Sequence, residues 1–414
     1  MALNLFLKLE CGIIVKKKNV ILMIVLALFL FSNIKIYGEE RNRMRGIWVT
    51  TIFSLDYPDK PTTDSKLLKE QADLIINNCK KMKMTDIFLQ VRPSCDAFYK
   101  SKYFSWSKYL TGQQGLAPED NFDVLDYWVK KCHEKKIKLH AWINPFRITK
   151  NGDKEFDSLD KNNPAKKHAS GEKKWVVKYE KDGNYYFDPA IPEVRKLIIN
   201  GAMEIVKNYD VDGIHLDDYF YPGKEFEDDE SFKKYGQNFV NIDDFRRDNI
   251  NKLIYELNKR VHKENKKKEN KKIEFGVSPA GVWANKKTHP EGSDTQAFES
   301  YNNLYCDSLY WIKNNMVDYI APQVYWQIGH KKADYKTVID WWNEKVKNSK
   351  VKLYIGMADY KAALEKDKQN VWYGTDEIKR QLNLNKQYEN ILGEIHFRYK
   401  LINDFDELRN LYVN

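Results

Sequence analysis

Two adjacent carboxylates, Asp217 and Asp218, close the segment Asp212-Gly-Ile-His-Leu-Asp-Asp and run directly into three aromatic rings, Tyr219, Phe220 and Tyr221. If the segment is a β-strand, alternation sends Ile214 and Leu216 to one face and His215 and Asp217 to the other, with Asp218 just past the strand end. Cleavage of a glycosidic bond needs two carboxyl groups, one protonated near neutral pH and one ionised. Aromatic rings beside them offer flat apolar faces to the C–H surface of a pyranose. An Asp-Asp pair before a turn can serve only as a cap, but three consecutive rings are more than a turn requires. Asp217 is expected as the ionised partner, held anionic by Arg92, Arg147 or Arg398, with Asp218 as the acid.

Other residues at predicted strand ends converge on the same chemistry. Trp48, Arg92, Asn144, Arg147, His215, Tyr219, Ser278, Gln323, Tyr325, Trp326 and Asp359, with Asp96 in a loop, are the candidates for substrate binding. Rings, amides and hydroxyls in this mixture suit a saccharide and suit a nucleotide poorly. Asn144 and Gln323 in particular pair well with hydroxyl or N-acetyl groups. Taken singly, the tryptophans fill core space as readily as they stack on sugars, and His215 reads more simply as a satisfied interior histidine.

Several chemistries find no support. No glycine-rich phosphate loop follows a strand and no His-Glu-x-x-His spacing occurs, so neither a metal nor a cofactor is expected. Ser278 lies in Gly-Val-Ser-Pro-Ala, without the Gly-x-Ser-x-Gly elbow of serine hydrolases. Five cysteines without a Cys-x-x-Cys pair read as free, mostly buried thiols. The net charge of +10 is spread over many lysines and comes with no nucleic-acid motif, so an anionic wall polymer is a better partner than nucleic acid.

The elements that must position these residues alternate between strand and helix. Strands are predicted at 45–50, 85–91, 138–143, 213–217, 273–278, 319–324, 352–357 and 394–399. Helices follow at 65–83, 122–135, 192–208, 244–262, 302–315, 335–348, 376–386 and 403–412. Eight such pairs make a (β/α)8 TIM barrel, an α/β fold whose chemistry sits at the C-terminal face of the strands. Long loops at that face, 92–121, 144–191, 218–243 and 279–301, are where a substrate site is built. One barrel domain spans 39–414. Residues 1–38 carry Lys16, Lys17 and Lys18, an apolar run from Val20 to Phe31, and a short polar stretch to Gly38. This is the pattern of a signal peptide or N-terminal anchor, which implies an extracytoplasmic protein, secreted or tethered to the membrane. Residues 1–14 fit poorly before the basic cluster, and Val15 is an alternative start.

Ordered motifs along the chain resemble the bacterial glycosyl hydrolase-like 10 family. They are Arg45-Gly-Ile-Trp-Val-Thr, Gln90-Val-Arg-Pro, Asp96-Ala-Phe-Tyr, Tyr109-Leu-Thr-Gly, His140-Ala-Trp-Ile-Asn-Pro, Asp212-Gly-Ile-His-Leu-Asp-Asp-Tyr-Phe-Tyr-Pro, Gly276-Val-Ser-Pro and Ala321-Pro-Gln-Val-Tyr-Trp. The resemblance implies an exported or lipid-anchored barrel enzyme. It further implies a substrate in peptidoglycan glycan strands freed of their peptides, the alternating N-acetylglucosamine and N-acetylmuramic acid polymer. The chain differs from chitinase-type barrels, whose catalytic glutamate position is Tyr219 here. The expectation is therefore a glycoside hydrolase of cell-wall amino-sugar glycans. The alternatives are a glycosidase for another polysaccharide and a barrel that binds glycan without turning it over.

Overall fold

Eight parallel strands close on themselves in a computed structural model that describes residues 43–171, 174–217, 219–267 and 272–413. In chain order the barrel strands are β1 (Met44–Val49), β2 (Asp86–Arg92), β3 (Lys138–Ile143), β6 (Gly213–Leu216), β7 (Glu274–Val277), β8 (Tyr319–Ile320), β9 (Lys352–Met357) and β10 (Ile391–His396). Between β3 and β6 the chain adds an antiparallel hairpin, β4 (Val176–Tyr179) and β5 (Asn184–Phe187). The barrel order is β1, β10, β9, β8, β7, β6, β3, β2, so each strand lies beside its barrel predecessor and β1 pairs with β10. The signal or anchor at 1–38 lies outside the described residues.

Helices cover the outside because their apolar residues recur on one face. The longer ones are α1 (Ser65–Lys81), α2 (Val124–Glu134), α3 (Pro192–Asn208), α4 (Ile242–Asn265), α5 (Tyr335–Val346) and α6 (Asp376–Asn385). Local chemistry fixes their starts. The side chains of Asp64, Asp123, Asn241 and Asp334 accept hydrogen bonds from backbone N–H groups of the first turns of α1, α2, α4 and α5. Pro192 occupies the first turn of α3, where a missing N–H costs nothing.

Inside the barrel, rings are fitted against glycines. Trp48, Phe88, Trp142, Tyr319 and Tyr354 are buried together in the interior. A Cβ on Gly213 would stand 2.2 Å from His140 Nδ1, and one on Gly276 would stand 2.1 Å from the Tyr319 ring. Large and small side chains thus alternate to fill the taper, as small barrels require.

The helix read as 403–412 is two helices, Tyr399–Asp404 and Asp406–Val413, broken at the extended Phe405, and three further predicted elements differ from the structure. The strand read as 319–324 stops at Ile320, because Pro322 has no N–H for a ladder; Gln323 still makes isolated bridges to Ala280 and Gly356. The helix read as 302–315 is two short helices, Ser300–Asn303 and Ser308–Lys313, interrupted at Tyr305 with φ 56°. The loop read as 144–191 contains the β4–β5 hairpin, which bridges back to Arg147 through Tyr186.

The loop that follows β6 is held from outside by Arg246 of α4. Its Nε donates to both Asp228 carboxylate oxygens at 3.1 Å, Nη1 donates to Lys224 O and Tyr305 Oη at 2.7 Å, and Nη2 donates to Phe226 O at 2.6 Å. Both Arg246 and Asp228 are buried. Removing one partner would leave an uncompensated charge, which typically costs ~3–5 kcal/mol. Arg246→Met is expected to lower the unfolding free energy by that order, measured by urea titration, and to release the 222–228 loop to proteolysis.

Candidate active site

Asp217, the first residue beyond β6, lies on a cavity of about 300 Å³ at the C-terminal mouth of the barrel. Trp142 of β3 stands beside β6 in the ladder, opposite His215, and its Nε1 donates to Asp217 Oδ2 at 3.1 Å. Asn144 Nδ2 donates to the same oxygen. The orientation of that amide is imposed from β1. Gln90 Oε1 accepts from the backbone N–H groups of Thr51 and Ile52, both at 3.0 Å, so Gln90 Nε2 must face Asn144 Oδ1, which it does at 2.6 Å. Asn144 is then left with its NH₂ toward Asp217. A relay of amides runs from two backbone donors to one carboxylate.

Burial pushes the Asp217 carboxyl up to about 6, outweighing the opposing charge of Arg147 and the hydrogen bonds from Trp142, Tyr219 N–H and Asn144. The expected guanidinium partners are mostly elsewhere. Arg398 pairs with Asp56 at 2.6 Å. Arg92 points out of the barrel, because the β2–β3 register shifts between Gln90 and Arg92 and opposes Arg92 to the outward-facing Ile143. It stacks on Phe104, 3.6 Å from the ring centroid.

Beneath the cavity, His215 is fully buried, and burial holds its pKa well below the ordinary value, leaving a neutral ring. Trp48 Nε1, a donor only, reaches His215 Nε2 at 3.3 Å, so Nδ1 carries the hydrogen toward Tyr319 Oη at 2.9 Å. His215 therefore fixes the Trp48 indole and does not itself line the cavity. On another part of the wall, Tyr360 meets Tyr325 and Phe397 in edge-to-face contacts at 5.7 and 6.0 Å. Phe53 and Leu55 form an exposed apolar lip.

Of the residues singled out by sequence, Trp48, Asn144, Arg147, Asp217, Tyr219, Ser278, Gln323 and Tyr325 share this cavity. Arg92, Asp96, His215, Trp326 and Asp359 do not line it. Asp96 is buried under its own loop, accepting from Ser107 Oγ at 2.6 Å. Asp359 begins a short helix, Asp359–Leu364, and is tied to His396 Nδ1 at 3.0 Å and to the Tyr412 hydroxyl. Trp326 packs over Gly281, outside the cavity lining. Asp218 lies outside the described residues. Asp217 is the one carboxylate lining the cavity among the described residues. Residues missed by the strand-end reading include Gln90, Trp142, Lys150, Tyr360 and Phe397. Alternation alone could have found two of them: Gln90 shares parity with inward Phe88, and Trp142 lies two residues before Asn144.

A closed parallel barrel with a buried carboxyl and aromatic side chains at its C-terminal mouth is an architecture that a glycoside hydrolase-type enzyme can use. The chain belongs to the glycosyl hydrolase-like 10 family, whose model matches residues 43–374. It is 39% identical over 373 residues to glycosyl hydrolase YngK of Bacillus subtilis (strain 168), covering 88% of this chain and 70% of that protein. It is 34% identical over 382 residues to glycosyl hydrolase DigH of Escherichia coli (strain K12), covering 88% and 85%. The glycoside hydrolase domain of PgaB (BpsB) from Bordetella bronchiseptica shares the fold, with TM-score 0.55 at 12% identity over 90% of this chain and 98% of that one. The protein is a glycoside hydrolase.

The raised Asp217 carboxyl has a consequence for stability. A folded-state pKa lifted from 3.8 to about 6 favours the unfolded chain increasingly as pH rises from 3.8 to 6, by ~3 kcal/mol above that range. Asn at this position can still accept from Trp142 and Asn144 without carrying charge. Asp217→Asn is expected to be more stable than the unmutated protein at pH 7, by up to ~3 kcal/mol, with the advantage gone near pH 4. Urea midpoints at the two pH values check it.

Proposed function

We propose that the enzyme cleaves the glycan strands of peptidoglycan after removal of their stem peptides, and that it does so outside the cytoplasm. The observation that carries this reading is Asp217, a buried carboxyl with a proton affinity near neutral pH, set on a cavity lined by rings and amides. Trp142 and Asn144 occupy Oδ2. The other oxygen, Oδ1, can carry a proton to the glycosidic oxygen, so that the leaving sugar departs as an alcohol. On this reading Asp217, whose burial raises its proton affinity, serves as the acid rather than the ionised partner expected from sequence, and Asp218 takes the ionised role.

The rest of the cavity supports an amino-sugar polymer. Tyr325 and Phe397, partly exposed on the cavity wall, can offer ring faces to pyranose C–H groups, with buried Trp48 packed behind Phe397. Gln323 and Ser278 line the same space and supply an amide and a hydroxyl for sugar hydroxyl or N-acetyl groups. The resemblance of the ordered motifs to the glycosyl hydrolase-like 10 family favours peptide-free strands. The basic, apolar and small-residue pattern of residues 16–38 supports export, where this polymer lies; cell fractionation should find the protein with the envelope or medium.

The purified protein, incubated with peptidoglycan before and after amidase treatment, is expected to release fragments from the peptide-free strands only, identified by mass spectrometry. Asp217→Asn should lower kcat by about 10²–10⁴-fold. Release from neither preparation would redirect the assignment to another polysaccharide. Because the acid must hold its proton, kcat/KM is expected to fall as pH rises through about 6; a limb of opposite slope would make Asp217 the base.

A further inference from the structure

We propose that Arg147 and Lys150 form a carboxylate-binding subsite on the cavity wall, so that the sugar bound there must carry a free carboxylate. This rests on the reading of the cavity as a glycan-strand site. Both residues line it, and both stand over the half-exposed Tyr219 ring, with the Arg147 guanidinium carbon 5.3 Å and Lys150 Nζ 5.8 Å from its centroid. Arg147 is buried and held rigidly: Nε and Nη2 donate to Pro93 O at 3.0 and 2.6 Å, and its backbone bridges to Tyr186.

Neither cation has an ion-pair partner among the described residues, and the nearby acids among those residues are engaged elsewhere. Glu155 accepts from the backbone N–H of Lys150 and of Asn151 and pairs with Lys108 at 2.8 Å. Asp182 accepts from the Tyr186 hydroxyl at 2.7 Å. Asp217 is bound by Trp142 and Asn144. Two like charges in a half-buried wall oppose each other, and Lys150 shows it: burial, then Arg147, lowers its pKa. Keeping Asp217 ionised is a poor explanation for the pair, since burial outweighs Arg147 at that carboxyl. An anion bound between them would relieve both, with charge-assisted hydrogen bonds from a fixed guanidinium edge and a flexible ammonium.

Sugar carboxylates of this kind are the lactyl ether of muramic acid and the uronates. A stem peptide converts the lactyl carboxylate into an amide, which removes the charge and adds bulk. The subsite therefore gives a physical reason for an enzyme to wait until the peptides are gone.

Binding by the full-length Asp217→Asn protein tests this without relying on turnover. Three oligosaccharides are compared: peptide-free peptidoglycan strands, the same strands with the lactyl carboxylate reduced to an alcohol, and uronate oligomers. The native strands are expected to bind about 10-fold or more tightly than the reduced ones. Adding Lys150→Met should shrink that ratio several-fold, while Lys150→Arg should retain it; thermal melts confirm folding of each variant. Uronate binding would assign the subsite to sugar carboxylates in general, and its refusal would assign it to the lactyl group. Equal binding of native and reduced strands, no binding of either, or a ratio untouched by Lys150→Met would overturn it. Failure of the proposed hydrolysis is read separately, from product release by the unmutated enzyme.

Discussion

A carboxylate buried at the end of a parallel strand is the constraint on which this site depends. Asp217 is nearly inaccessible to solvent, and a charge in such a place survives only if donors are fixed around it. The donors here are not free to choose their orientation. Two backbone N–H groups after β1 hold the Gln90 oxygen, Gln90 turns the Asn144 amide, and Asn144 presents its NH₂ to Asp217. The outcome at one carboxylate is set by peptide groups three strands away. The donors stabilise the charge without cancelling the cost of burial, which leaves a group whose proton can come and go near neutral pH.

The barrel interior supplies the rigidity this needs. Phe88 stacks on His140 at 4.4 Å, and Tyr319 closes over Gly276, so the layer beneath the cavity has no slack. His215 links Trp48, Ser278 and Tyr319 across that layer, joining β1, β7 and β8 through β6. Its neutral ring is what makes it a spacer: a charged imidazole would have to be paired, and burial disfavours it. Stability and function pull in opposite directions at Asp217, whose burial costs stability while it raises the proton affinity.

Loops do the remaining positioning, and each is tied down by a different device. The long segment after β3 folds into its own hairpin and bridges back to Arg147. The segment after β6 is clamped by the buried Arg246–Asp228 pair. Without these ties the two cations and Tyr219 would lie on mobile backbone, and a subsite for a charged sugar could not hold its geometry.

Much of this was legible in the residues themselves. Alternating strand and helix patterns give an eight-fold parallel barrel, because period-2 and period-3.6 burial are local properties, and β3 and β9 have the boundaries read from sequence. The same alternation puts Asp217 at the mouth. What local pattern could not supply was which way a residue turns after a strand loses its regularity. Arg92 sits where an inward side chain is expected, yet a register shift against β3 turns it outward and leaves Gln90 facing the cavity. Nor could it supply the proton affinity of Asp217, since that depends on how completely Trp142, Asn144 and the neighbouring strands exclude water. Residue type, order and periodicity are written along the chain; register, burial and the meeting of Arg147 with Lys150 over Tyr219 exist only once distant segments pack together.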